Sequence, residues 1–145
     1  MEIRQASESD IEAIASFDHV ARMDAARRDF IARSVRSGSA WVAVVGGQVG
    51  GYTVLEYTFF HQGFIAMLYV HPGHRRQGIG TALVRCVESL CKTDKLFTST
   101  NESNRAMQAL MAKLQYAPSG VINNLDEGDP EIVYFKRVGG KQPTA

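Results

Sequence analysis

FIAMLYVHPGHRRQGIGTALV, residues 64–84, decides how the rest of the chain is read. The apolar run 64–70 has the length of a strand, and His71-Pro72-Gly73 ends it with two residues that interrupt a ladder. Arg75 and Arg76 follow, then Gly78-Ile79-Gly80-Thr81, then apolar residues at helical spacing. Strand, basic glycine-rich turn, helix: this order presents backbone N–H groups and the positive end of a helix dipole to a phosphate. Gly78 and Gly80 have no Cβ to hold an anion away from the backbone. Arg75 and Arg76 add charge-assisted hydrogen bonds to the same oxygens. Taken alone, two glycines one residue apart also suit an ordinary strand-to-helix connection. Other phosphate motifs do not fit. No Lys-Ser or Lys-Thr follows the glycines, as a P-loop requires, and the third glycine of a dinucleotide fingerprint is missing, with Val84 in its region. What remains is a diphosphate cradle of another type.

Leu68-Tyr69-Val70-His71-Pro72 followed by Arg75-Arg76-Gln77-Gly78-Ile79-Gly80 resembles the acetyl-coenzyme A signature of the GNAT N-acetyltransferase family. That signature is Arg or Gln, two residues, Gly, any residue, then Gly or Ala, after a strand ending in Val-x-Pro. The resemblance implies an α/β fold, a mixed twisted sheet of about seven strands flanked by about four helices. It implies acetyl-CoA as co-substrate, held by a cradle of Arg75, Arg76, Gln77, Gly78, Ile79, Gly80 and Thr81. It further implies that the backbone amides of Leu68, Tyr69 and Val70, on a splayed strand, bind the pantetheine arm and polarise the thioester carbonyl. Asn104 matches a family asparagine that contacts the coenzyme arm.

Length and composition fit one domain. The 145 residues are enough for a core, and 1–138 is expected to form a single N-acetyltransferase domain followed by a polar tail, 139–145. Sixteen basic against fifteen acidic residues give a net charge of +1, which indicates neither a nucleic-acid partner nor a membrane tether. The first ten residues, MEIRQASESD, have no apolar signal region, and no run reaches bilayer length. Cys86 and Cys91 fall five apart in one predicted helix and point in different directions, so they form neither a metal pair nor a disulfide. No metal is expected, and reduced thiols suit a cytoplasmic location.

Along the chain, residues 2–6 read as a short strand. Ser9-Asp10-Ile11-Glu12 reads as a capping box for a helix starting near Asp10 with Ile11, Ile14 and Ala15 on its apolar face. A second helix spans 27–36 and closes at Gly38. Arg22, Arg27 and Arg28 between the two read as a solvated basic loop, and the resemblance implies that this region borders the acceptor and shapes specificity. Strands follow at 41–45 and 49–60, joined by Gly46-Gly47, and His61-Gln62-Gly63 turns into 64–70. Leu83, Val84, Val87, Leu90 and Cys91 mark an amphipathic helix, and 96–100 is a strand parallel to 64–70 because a helical crossover joins them. A helix over 104–114 carries Met107, Leu110, Met111 and Leu114, with Asn101 and Asn104 both able to cap it. Strands 119–125 and 131–138 complete the chain around an acidic turn, 126–130.

Acetyl transfer to an amine needs the coenzyme held, the thioester polarised, the amine neutral and the departing thiolate protonated. The last two requirements are where the chain departs from the resembled family. Counting from Asn104 puts Met111 where the family has the tyrosine that commonly protonates the thiolate, and a thioether has no proton to give. Tyr116 falls at a structural position, and Tyr134 or a water remains open as a substitute. The strand glutamate used by many relatives as base is also absent, since Ala66 and Met67 are apolar. Glu56, the carboxylate inside the long central strand, is the candidate base; the competing reading is a solvent-facing strand residue. Asp126, Glu127 and Asp129 form either a solvated turn or an anchor for a cationic acceptor.

The expected activity is acetyl-CoA-dependent N-acetylation of a primary amine by direct attack in a ternary complex. A small molecule or a peptide supplies the amine, and a homodimer is possible in such a family. Two alternatives stay open: a catalytically silent acetyl-CoA-binding module, and a transferase that uses a longer acyl-CoA.

Overall fold

The computed structural model describes residues 1–140. The elements are β1 (Glu2–Gln5), α1 (Asp10–Phe17), α2 (Ala25–Arg36), β2 (Ala40–Val45), β3 (Gln48–Phe59), β4 (Gln62–Val70), a 3-10 turn (Pro72–His74), α3 (Ile79–Leu90), β5 (Lys95–Asn101), α4 (Arg105–Lys113), β6 (Ala117–Ile122) and β7 (Glu131–Arg137). The strands form a seven-stranded sheet in the order β1-β2-β3-β4-β5-β7-β6. β4 and β5 pair in parallel, while β1–β2, β2–β3, β5–β7 and β6–β7 are antiparallel. This is the mixed α/β architecture anticipated from the sequence.

Local chemistry accounts for the boundaries. Gly46 and Gly47, at φ 57° and 77°, make the two-residue turn whose twist suits a hairpin. The next turn is placed one residue earlier than expected: Phe60 and His61, at φ 53° and 62°, form it, and Gln62 already belongs to β4. The capping box at Ser9 does not form. Ser9 itself adopts helical angles, so its hydroxyl makes no cap bond. Asp10 takes over, accepting the Ser7 N–H at 2.7 Å and holding the Arg4 guanidinium at 2.7 and 3.1 Å. α2 starts two residues earlier than the pattern suggested, because Asp24 accepts the Ala26 N–H at 2.9 Å as its N-cap. At the other end, Gly38 in the left-handed region lets the Ser39 N–H return to the Ser34 carbonyl at 2.9 Å.

The described residues divide into two compact units, Met1–Leu55 with Met67–Cys86, and Glu56–Ala66 with the chain from Val87 onward. In the first unit, Ala43, Ile79 and Leu83 form a buried cluster, with Ile3, Val45, Leu68 and Val70 packed against it. Gly51 makes this packing possible: a Cβ there would lie 2.8 Å from Ile79 Cγ2 and 3.0 Å from the Tyr69 carbonyl oxygen. In the second unit, Phe59, Phe64, Phe97 and Phe135 form a chain of ring contacts at 4.9, 5.3 and 5.8 Å. Gly63 accommodates Cys91 and Thr93, whose Oγ1 accepts its N–H at 2.9 Å. Along α3, Leu83, Val84 and Val87 are fully buried as expected, but Leu90 is 38% exposed, and Ile79 completes the stripe instead. The stripe runs out at Leu90 because it is the last residue of the helix. Of the expected tail, Gly140 lies against the Thr93 carbonyl, and 141–145 fall outside the described residues.

Candidate active site

The cradle is built on the first turn of α3. The Ala82 N–H bonds the Gly78 carbonyl at 3.0 Å, so Gly78 is the residue at which the helix opens. An α-helix leaves the N–H groups of its first turn without partners inside the helix, here those of Gly78, Ile79, Gly80 and Thr81. Arg76 and Gly78 both have positive φ, 63° and 79°. Positive φ at residues 76 and 78 curls the backbone just ahead of the helix, and this bend together with the N–H groups of the first turn forms a nest suited to an anion. A side chain at residue 78 would meet nothing within 4 Å, so it is the backbone angle that favours glycine there. Arg75, Arg76 and Gln77 are exposed around this concavity. Ile79, by contrast, is 1% exposed and its side chain belongs to the core, so only its backbone N–H faces the task assigned to it from sequence.

Before the cradle, β4 supplies Leu68, Tyr69 and Val70. Leu68 and Val70 point to the Ile79 and Leu83 side. Tyr69 points the other way, its ring 6.0 Å from Phe17 and 6.3 Å from Tyr52. The β4–β5 ladder runs through Gly63↔Leu96, Phe64↔Phe97 and Ile65↔Thr98, and residues 66–70 lie beyond those three pairs. His71 closes the strand with its N–H on the Gly50 carbonyl at 2.8 Å, and its ring Nδ1 accepts the Gly73 N–H at 2.8 Å. That bond stiffens the turn leading to Arg75.

A second construction on the same unit was not legible as such. Asp18 is fully buried just after α1, and its two carboxylate oxygens accept four hydrogen bonds. Oδ1 takes the Val20 and Ala21 N–H groups at 3.0 and 3.2 Å; Oδ2 takes the Tyr52 hydroxyl at 2.7 Å and Arg27 Nε at 2.9 Å. Burial alone would raise its pKa, but Tyr52 and Arg27 outweigh burial and hold the carboxyl below its ordinary range. The basic stretch read as solvated is corrected at one position: Arg22 and Arg28 are exposed, Arg28 donating to the Ala21 carbonyl at 2.6 Å, whereas Arg27 lies in α2, half-buried against Asp18. Next to Asp18, His19 is exposed and its ring Nδ1 contacts the Tyr69 hydroxyl, which also accepts the His19 N–H at 3.3 Å. The signal available in sequence was the Asp18-His19 pair breaking the apolar pattern of α1.

The remaining candidates belong to the other unit. Glu56 is half-buried on β3 and accepts the Thr58 hydroxyl at 3.4 Å. Asn104 is the N-cap of α4: its Oδ1 accepts the Met107 N–H at 3.1 Å, which leaves its amide nitrogen outside the cap bond. Asn101 does not compete for that position, because its Nδ2 donates to Asp126 Oδ2 at 2.9 Å and to the Asp129 carbonyl at 3.2 Å. Asp129 in turn holds Ser103, so two of the three acidic turn residues organise the start of α4. Met111 is fully buried, and Tyr116 is 4% exposed with its hydroxyl on Glu88 at 2.8 Å. Cys91 is buried and Cys86 half-buried, with burial pushing the Cys86 thiol up. Among the described residues, no group of three or more His, Cys, Asp or Glu is arranged to hold a metal ion. No helix among them is long and apolar enough to cross a membrane.

The model of the acetyltransferase (GNAT) family matches residues 4–116. The chain belongs to this family. An acetyltransferase of the GNAT family from Bacillus cereus is 32% identical, with 94% of this chain and 96% of that one covered and a TM-score of 0.88. At 16% identity, the ribosomal-protein-S18-alanine N-acetyltransferase from Escherichia coli shares the fold over 94% and 93% of the two chains, TM-score 0.79. An aminoglycoside 6'-N-acetyltransferase complexed with coenzyme A is 14% identical and shares it over 99% and 100%, TM-score 0.82. No curated protein sequence matches the chain.

Proposed function

We propose that residues 1–138 act as one domain that transfers the acetyl group of acetyl-CoA to a primary amine by direct attack in a ternary complex. The observation that carries this reading is the nest at Arg76 and Gly78 opening onto the first turn of α3. Its N–H groups and the Arg75 and Arg76 side chains suit the pyrophosphate of a coenzyme. The amides of Leu68, Tyr69 and Val70 are assigned to the pantetheine arm and thioester carbonyl, and the amide nitrogen of Asn104 to the same arm. The structurally similar proteins named for aminoglycoside and for ribosomal-protein alanine acetylation support an amine acceptor on a small molecule or a peptide.

Glu56 is assigned as the base that removes the amine proton, directly or through water. An ordinary alkylamine has a pKa of about 10.4, so near neutral pH a base must bring it to the attacking form. The test is free-thiol release from acetyl-CoA across a panel of amines, wild type against Glu56→Gln. A rate that depends on the amine and falls roughly 10²-fold in the variant supports both assignments, given usual general-base contributions. An unchanged rate removes Glu56 from the mechanism.

A second reading rests on Met111, buried where relatives carry a proton-donating tyrosine: a module that binds acetyl-CoA without turning it over. Tight coenzyme binding with no thiol release from any amine would select it.

A further inference from the structure

Counted from Asn104, the place where the resembled family has a proton-donating tyrosine is Met111, which has no proton to give, and the five tyrosines of the chain can be sorted for that role. Tyr52 is fully buried and donates to Asp18 at 2.7 Å; burial first and that carboxylate second push its hydroxyl far above the ordinary phenol range. Tyr57 accepts the Lys92 N–H at 3.0 Å, beyond the C-terminus of α3. Tyr116 donates to Glu88 at 2.8 Å, with Lys136 on the same carboxylate oxygen at 3.0 Å. Tyr134 is 6% exposed, and burial pushes its hydroxyl up. Tyr69 differs from all four. It is half-buried, and its own peptide unit belongs to the strand segment assigned to the thioester.

The oxygen of Tyr69 is also prepared for losing a proton. His19 approaches it twice, through the backbone N–H at 3.3 Å and through ring Nδ1. With the Nδ1–H tautomer both are donors, so the phenol oxygen accepts two hydrogen bonds while its own O–H remains to be given away. Donors aimed at an atom that becomes negative stabilise that charge without reorganisation. Asp18 fixes the arrangement: by accepting the Val20 and Ala21 N–H groups it closes the turn around His19, and its bonds to Tyr52 and Arg27 tie that turn to β3 and α2. The charged and titratable neighbours are accordingly Asp18 and Arg27, already paired, Tyr52 from β3, Arg28 on the Ala21 carbonyl, and His71, whose ring lies tilted to that of Phe17 at 5.0 Å.

We infer that Tyr69, backed by His19, is the proton donor to the coenzyme thiolate, with Asp18 as a positioning residue. The inference rests on the acetyl-transfer reading above. The amine nitrogen attacks the thioester carbonyl carbon and gives its proton to the base. The carbon–sulfur bond then breaks with its electron pair on sulfur, sulfur takes the proton of the Tyr69 hydroxyl, and the phenolate recovers one from the Nδ1–H of His19. As Nδ1 gives up that proton, ring Nε2 takes one from solvent, which has received the one lost by the amine; the ring stays neutral, exchange with solvent restores the tautomer, and no proton is gained or lost overall.

The experiment compares wild type, Tyr69→Phe and His19→Ala by steady-state thiol release over pH and by calorimetric titration with coenzyme A. Phenylalanine keeps the backbone amide and the aromatic packing, and His19 is exposed, so both variants are expected to melt near wild type. The expected result is a coenzyme Kd within about twofold in both, with kcat lowered roughly 10²-fold in Tyr69→Phe and to a lesser degree in His19→Ala. Any alkaline limb of kcat recorded in wild type should vanish in Tyr69→Phe. A merely structural role would leave that limb in place. An active wild type whose Tyr69→Phe variant keeps kcat within about threefold, together with the limb, overturns the inference alone. Should Tyr69→Phe fail to fold, His19→Ala with unchanged kcat and pH profile overturns it. A wild type that binds coenzyme A but releases thiol with no amine overturns the acetyl-transfer reading and the pair with it.

Discussion

Replacing Asp18 by Asn is the sharpest perturbation of the unit that carries the cradle. The carboxylate is fully buried and serves Tyr52, Arg27 and two backbone N–H groups. Asparagine keeps one oxygen for the backbone bonds but offers Tyr52 and Arg27 an amide in place of a charge. Breaking a buried ion pair from one side costs about 3–5 kcal/mol. The lower end applies, since the Arg27 side chain keeps 21% of its surface in water. At about 2.1 cal/mol/K of unfolding entropy per residue, 145 residues give about 0.3 kcal/mol/K, so a loss of about 3 kcal/mol lowers Tm by about 10 °C. Scanning calorimetry at neutral pH measures this. The pH dependence follows from the sign of the shift. The folded carboxyl titrates below its unfolded value, so its contribution is complete above the ordinary carboxylate range and disappears as pH falls through the folded pKa. The gap between wild type and Asp18→Asn should therefore narrow at the acid end. A Tm within 2–3 °C of wild type at neutral pH (under about 1 kcal/mol), or a gap that widens with acid, would refute the reasoning.

Two further outcomes follow from the cradle and from α4. Gly78→Ala places a Cβ at φ 79°, where alanine costs about 1–2 kcal/mol, and it stands at the mouth of the nest; Tm should fall a few degrees while coenzyme A affinity, by calorimetry, weakens tenfold or more. Met111→Tyr puts a larger, polar ring at a site with no exposed surface, so overpacking should cost about 1–3 kcal/mol by thermal melting without raising the rate of thiol release.

The strand–turn–helix of 64–84 was legible because three local signals agree there: apolar run, breaking residues, helical period. The parallel placement of β5 followed from the crossover rule alone. The errors have a common cause in side-chain competition that spacing cannot see. Ser9 matched the capping box, yet Asp10 had a cationic partner in Arg4, five positions ahead of the pattern. Arg27 looked like surface charge because Asp18, nine residues before it, reads only as a polar break in α1. The turn at Phe60 and His61 uses positive φ without glycine, so composition pointed to Gly63 instead. The Tyr69–His19 contact joins residues fifty positions apart and has no signature in either segment.

The most direct test of the account follows an isotopically labelled acetyl group. Acetyl-CoA carrying the label is incubated with the protein and an amine panel, and both amine and protein are weighed by mass spectrometry. Direct attack predicts label on the amine nitrogen in proportion to thiol released, and none on Cys86 or Cys91. Thiol release without a labelled amine, or label retained on either cysteine, would contradict it.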